Sequence, residues 1–119
     1  MNEEQKKAFE TIKTIYEEGE ASVNGRVYTF TKMVHKERKK VFAFASAHQN
    51  ELDKGNFSCL DHSDFEPVEK IIHNRVMFNG ELLSRREDHW EEYPEDYVWL
   101  VAVAMQVMSY PFIKGGITD

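Results

Sequence analysis

Cysteine is nearly missing from this chain of 119 residues, for Cys59 stands alone. No disulfide framework can form within it, and the surroundings of Cys59 in the sequence show no Cys/His cluster, which points to a reducing compartment. The first residues, Asn2-Glu3-Glu4-Gln5-Lys6-Lys7, have no apolar stretch of the kind a secretory signal carries. The longest apolar run, 97–108, falls short of the roughly 20 residues of a membrane span. An excess of positive charge is also lacking. The formal net charge of -6 argues against attraction of the whole protein to nucleic acid. No Gly-rich loop resembles a phosphate cradle, because Lys114-Gly115-Gly116 lies after the last apolar run, and no Ser, Cys or Lys sits in a nucleophile motif. With no low-complexity stretch and no shift in composition to mark a linker, the expectation is one domain over residues 1–113 and a flexible tail over 114–119.

Helical and hairpin signals fill that domain. Asn2 and Gln5 have the spacing of a capping box, and Ala8, Phe9, Ile12, Ile15 and Tyr16 recur at helical spacing, which predicts an amphipathic helix over 3–18 closed by Gly19. Asn24-Gly25 then supplies the two positive φ angles that a two-residue hairpin turn requires, with Val27 to Thr31 as its half-buried second strand. The spacing predicts a second helix from His35 to about Gln49, basic early and apolar later, broken by Asp53-Lys54-Gly55-Asn56. Ser63, Glu66 and Pro67 predict a third helix through about Asn74 with Val68, Ile71 and Ile72 inward. Around Asn79-Gly80 the apolar run is short, and a turn rather than a hairpin is expected. The charged stretch 84–92 is expected to be solvated, with a short helix carrying Trp90 inward. A last helix opens at Tyr93-Pro94 and is stopped by Tyr110-Pro111-Phe112. The fold class is mainly α with a small N-terminal β-hairpin, an α+β arrangement.

Few side chains are patterned for chemistry. Five histidines are present, with Asp61-His62-Ser63-Asp64 as the densest metal-like cluster. No two histidines stand at i and i+3 or i+4, however, and acids at a helix start cap it. Glu95 and Asp96 sit in the first turn of the last helix, where they meet its dipole. No catalytic, cofactor-binding or metal-binding residue is therefore expected. Binding is a different matter. Tyr97, Trp99, Leu100, Val101 and Ala104 cannot share one stripe of a helix, because neighbours point about 100° apart, so some apolar surface is left over for a partner. Trp99, Val103, Met108, Tyr110 and Phe112 are the candidate contact residues. Lys36, Arg38, Lys39 and Lys40 form a charged rim, in the one place where this acidic chain concentrates positive charge.

The segment Val23-Asn24-Gly25-Arg26-Val27-Tyr28-Thr29-Phe30-Thr31-Lys32-Met33 followed by a helix from His35, the middle stretch Val68-Glu69-Lys70-Ile71-Ile72, and Tyr93-Pro94-Glu95-Asp96 before the last helix together resemble the tail assembly chaperones of lambda-like long-tailed bacteriophages. The resemblance covers most of the chain. It departs at the end, where the lambda member runs on into a Pro- and Ala-rich tail and this chain reads Gly115-Gly116-Ile117-Thr118-Asp119.

What the resemblance implies is a helical, non-catalytic protein of the host cytoplasm that is left out of the mature virion. Such a protein binds the phage tape measure protein, helps recruit tail tube subunits and forms homo-oligomers. It also implies a ribosomal frameshift, for which Lys114-Gly115-Gly116 is a possible location. Neither nucleic acid nor membrane is an expected partner, and no cofactor is expected. A compact regulator or inhibitor that docks on one host protein is the alternative reading. A small metal-dependent hydrolase using Asp61, His62 and Asp64 is a third.

Overall fold

The computed structural model describes residues 2–116. Six α-helices, short 3₁₀ turns and a four-stranded antiparallel sheet make up these residues, in agreement with a mainly helical α+β chain. Helix α1 (Glu3–Glu18) opens with the capping box read from the sequence: Asn2 Oδ1 accepts from the Gln5 N–H, and Gln5 Oε1 accepts from the Asn2 N–H. It ends at Gly19, whose φ of 77° places it in the left-handed region where only glycine is unstrained. Strands β1 (Glu20–Val23) and β2 (Arg26–Phe30) pair around Asn24 and Gly25, both at positive φ as a type I′ turn demands.

The second Asn-Gly corrects the expectation of a bare turn. β3 (Val76–Phe78) and β4 (Glu81–Leu82) form a second hairpin across Asn79-Gly80, and β3 pairs with β2, setting Tyr28 opposite Phe78 and Phe30 opposite Val76. The hairpin is therefore not an isolated N-terminal one. Strands of three and two residues carry no alternation to read in the sequence; pairing with β2 makes them strands.

The predicted second helix is interrupted. α2 (His35–Ala47) stops at His48, and a separate short α3 (Gln49–Asp53) follows. α4 (Phe65–Arg75) lacks the predicted Ser63 cap: no side chain caps it, and backbone turns from His62 and Ser63 lead into it. Phe65, Val68 and Ile72 are its buried residues, while Ile71 is half-buried. After α5 (His89–Glu92) and a 3₁₀ turn at Pro94–Asp96 comes α6 (Tyr97–Gly116).

Pro111 does not stop α6. The missing N–H costs one hydrogen bond near the helix end, and Phe112 beyond it is held against Phe42 and His35, with ring centroids 5.1 and 5.8 Å away. Residues 114–116 of the expected tail are thus helical, and 117–119 lie outside the described residues. Longer than the run 97–108, α6 with its preceding turn is long and apolar enough to cross a membrane, and half of its most apolar stretch is buried inside this fold. α1, α2 and α4 pack on α6, whose Leu100, Val101, Ala104, Met105 and Met108 meet Val41 and Phe44 of α2, Val68 and Ile72 of α4, and Tyr28 and Phe78 of the sheet.

Candidate functional site

Apolar excess on α6 and loose seating of α1 produce a trough. No residue of α1 is fully buried; it leans on α6 through Phe9 and Tyr16, whose rings lie 5.4 and 4.9 Å from that of Tyr110. The gap left between α1, the α2–α3 junction and α6 is an open depression of about 790 Å³. Phe9 and Ile12 form one wall, Phe42, Ala45 and Leu52 the other, and Ala102 and Met105 line it from α6. Trp99 stands in it with 64% of its surface exposed, the most exposed large apolar residue of the described chain. Ser109 lines it too. This residue is only 2% exposed, and its Oγ has no hydrogen-bond partner among the described residues, a polar group left unmatched in an apolar depression.

The candidate contact residues separate accordingly. Trp99 is at the trough and exposed, Val103 is half-buried, and Phe112 is half-buried between His35 and Phe42. Met108 and Tyr110 are corrections to the expected surface: Met108 is in the core, and Tyr110 is covered by Phe9 and Tyr16. Lys36, Lys39 and Lys40 are exposed, whereas Arg38 is partly buried. Glu37 does not neutralise this run, because it accepts from Arg75 Nε at 2.8 Å. Lys39 is three residues before Phe42, so it shares the trough-facing side of α2 and puts positive charge at that end. Asp53 lines the trough and adds negative charge. The α1 residues Phe9 and Ile12 were visible in the sequence as a helical stripe, but their half-open packing was not.

A second constellation is buried and polar. Asp96 and Tyr28 are 0% exposed and His89 is 2% exposed. Arg86 Nε donates to His89 Nδ1 at 3.1 Å, so the ring proton sits on Nε2 and is donated to Tyr28 Oη at 2.8 Å. Tyr28 in turn donates to Asp96 Oδ2 at 2.7 Å, and Asn24 Nδ2 donates to Asp96 Oδ1 at 2.7 Å. Arg26 completes the cluster with its Nε 3.1 Å from Asp96 and its Nη2 2.7 Å from Glu95. Burial, followed by the Arg86 charge, pushes the His89 imidazole below its usual pKa. Burial and the bond to Asp96 push the Tyr28 phenol far above the ordinary tyrosine range. A neutral His and an un-ionised Tyr, sealed from solvent, tie β2 to the start of α6; such a chain holds a fold together and offers a substrate no surface.

The cluster Asp61, His62 and Asp64 does not converge as ligands. The Asp64 N–H donates to His62 Nδ1 at 3.1 Å, and both side chains are mostly exposed, which is the geometry of a local turn. Comparison of the chain with family models, with curated proteins and with solved structures finds no match.

Proposed function

We propose that this protein acts by binding, without chemistry, and that the trough between α1, α2 and α6 receives an amphipathic helix of a partner. The observation that carries the reading is Trp99, a large aromatic side chain exposed at an apolar depression, which is the residue type and setting of an interface anchor. A depression of about 790 Å³ has the volume of roughly one and a half turns of helix with side chains about 10–12 Å across. The charge of Lys39, near the trough-facing side of α2, favours an acidic residue at one end of the incoming helix.

The resemblance to tail assembly chaperones makes the tape measure protein of a long-tailed phage the proposed partner, with recruitment of tail tube subunits and self-association following from that role. A long helical tape measure exposes apolar faces that a stoichiometric binder can cover. The test is co-expression of this chain with a tape measure protein that is insoluble alone. Solubility rescued by the natural chain and lost with Trp99→Glu is the expected result. No rescue by the natural chain overturns the tape-measure reading in favour of the small regulator.

A further inference from the structure

Cys59, isolated in sequence, is not isolated in space. α2 ends at His48, and α3 begins at once, so Glu51 follows three residues later on the same side and its Oε1 lies 3.5 Å from His48 Nδ1. The chain then reverses at Gly55, whose φ of 77° suits only glycine, and the Asn56 N–H bonds back to the Glu51 carbonyl at 2.8 Å. That reversal delivers Cys59, in the 3₁₀ turn Ser58–Asp61, beneath the same two side chains. One ring nitrogen of His48, a carboxylate oxygen of Glu51 and Sγ of Cys59 all lie within 4.8 Å of one another.

We propose that His48, Glu51 and Cys59 form a binding site for a zinc-like divalent cation. Tetrahedral zinc, with bonds of about 2.0–2.3 Å to N, O and S, spaces its ligand atoms roughly 3.3–3.7 Å apart. The His48–Glu51 separation already has that value, and side-chain adjustment of about 1 Å brings in the sulfur. A His–Glu contact between neighbouring turns needs no third member. Two further observations indicate that this one has one. Cys59 is only 4% exposed and points its thiol at the pair, and the buried His48 Nδ1 has no hydrogen-bond partner among the described residues. Thiolate, imidazole and carboxylate together are a donor set suited to zinc rather than to calcium or magnesium.

Cysteine ligates zinc as the thiolate. Binding therefore exchanges a proton for the metal: the S–H bond breaks, the S–Zn bond forms with the sulfur's electron pair, and the proton leaves to solvent. The His62 ring, 5.9 Å from that of His48, borders the site. Its Nδ1 accepts from the Asp64 N–H, so its Nε2 carries the proton and does not ligate in this tautomer. The fourth position is left to water.

Titration of the metal-stripped full chain with zinc alone, followed by calorimetry, tests the site. The expected result is one equivalent bound with release of a proton. Glu51→Gln should weaken binding by at least about tenfold, and the cobalt-loaded chain should show a thiolate charge-transfer band that Cys59→Ser abolishes. Glu51 is partly exposed, so its variant folds and decides the matter even if Cys59→Ser does not. No saturable uptake by the natural chain, or uptake that is equally tight in Glu51→Gln and shows no thiolate band, overturns the proposal.

Discussion

The Tyr28 hydroxyl donates to Asp96 Oδ2 at 2.7 Å across 68 residues of chain, with both side chains fully buried. This one bond joins the central strand pair of the sheet to the turn that launches α6, and therefore sets where the longest helix begins. Asn24 from the β1–β2 turn and Arg26 at the start of β2 meet the same carboxylate and also reach Glu95, so the N-terminal hairpin and the C-terminal helix are positioned against each other by these two adjacent acidic residues.

Replacing Tyr28 by Phe removes a donor from a buried carboxylate and an acceptor from His89 while leaving the ring in the core. The expected loss is about 1–3 kcal/mol. Urea denaturation checks this as a lower midpoint with an unchanged slope. An unchanged midpoint would show that the hydroxyl is not part of the fold's support.

Stability should fall with acidification. His89 and His73 both have pKa values lowered chiefly by burial, and His73 Nε2 accepts from Trp90 Nε1–H at 2.8 Å, a bond that protonation of that nitrogen breaks. Because the folded values lie below the ordinary histidine value of 6.5, the unfolded chain binds more protons as pH drops. The stabilisation is complete above about pH 6.5 and declines as pH falls toward the folded values, with a slope of at most about 1.4 kcal/mol per pH unit for each histidine. Denaturation at pH 7 and pH 5.5 measures it, and the decline should be smaller in a His73→Gln variant.

The second hairpin rests on backbone conformation. Gly80 has a φ of 80° and open space around the position a Cβ would take, so Gly80→Ala meets no clash and isolates the strain of the left-handed region. The expected cost is about 1–2 kcal/mol. An alanine variant as stable as the natural chain would mean that the turn changes type without loss.

Ser109 and Trp99 separate folding from binding. Ser109→Ala removes a buried hydroxyl with no partner among the described residues and should stabilise the free protein by about 1 kcal/mol. Trp99→Ala removes a side chain that is largely in solvent and should alter stability by less than about 0.5 kcal/mol. In binding to an amphipathic helix, read by calorimetry, Trp99→Ala should cost about 2 kcal/mol or more. Equal affinity in the natural chain and the Trp99 variant would move the binding surface elsewhere.

Much of the fold was legible in local chemistry. The Asn2–Gln5 box, the Gly19 stop and the Asn24-Gly25 turn each act within a few residues, and each is found where the residues indicate. Legibility ended where a distant element decided. His48 divides what reads as one helix, and it does so beside Cys59, eleven positions on, brought there by the reversal at Gly55. Pro111 reads as a terminator, yet α6 passes it with Phe112 anchored on α2. Met108 and Tyr110 look as available for binding as Trp99 when only their own helix is considered, because apolar character gives no sign of which side a neighbour will cover.

The sequence by itself therefore determined the helix caps, the tight turns, the apolar excess of the last helix and the mainly helical class, because capping, positive φ and helical spacing are short-range properties. Tertiary structure alone decided the four-stranded sheet, the Tyr28–His89–Asp96 chain, the convergence of His48, Glu51 and Cys59, and the trough at Trp99. The sheet, the buried polar chain and the trough join groups far apart in the sequence, whose meeting is set by how whole helices and strands pack; the His48–Glu51–Cys59 cluster closes over eleven positions, but only through the backbone reversal at Gly55.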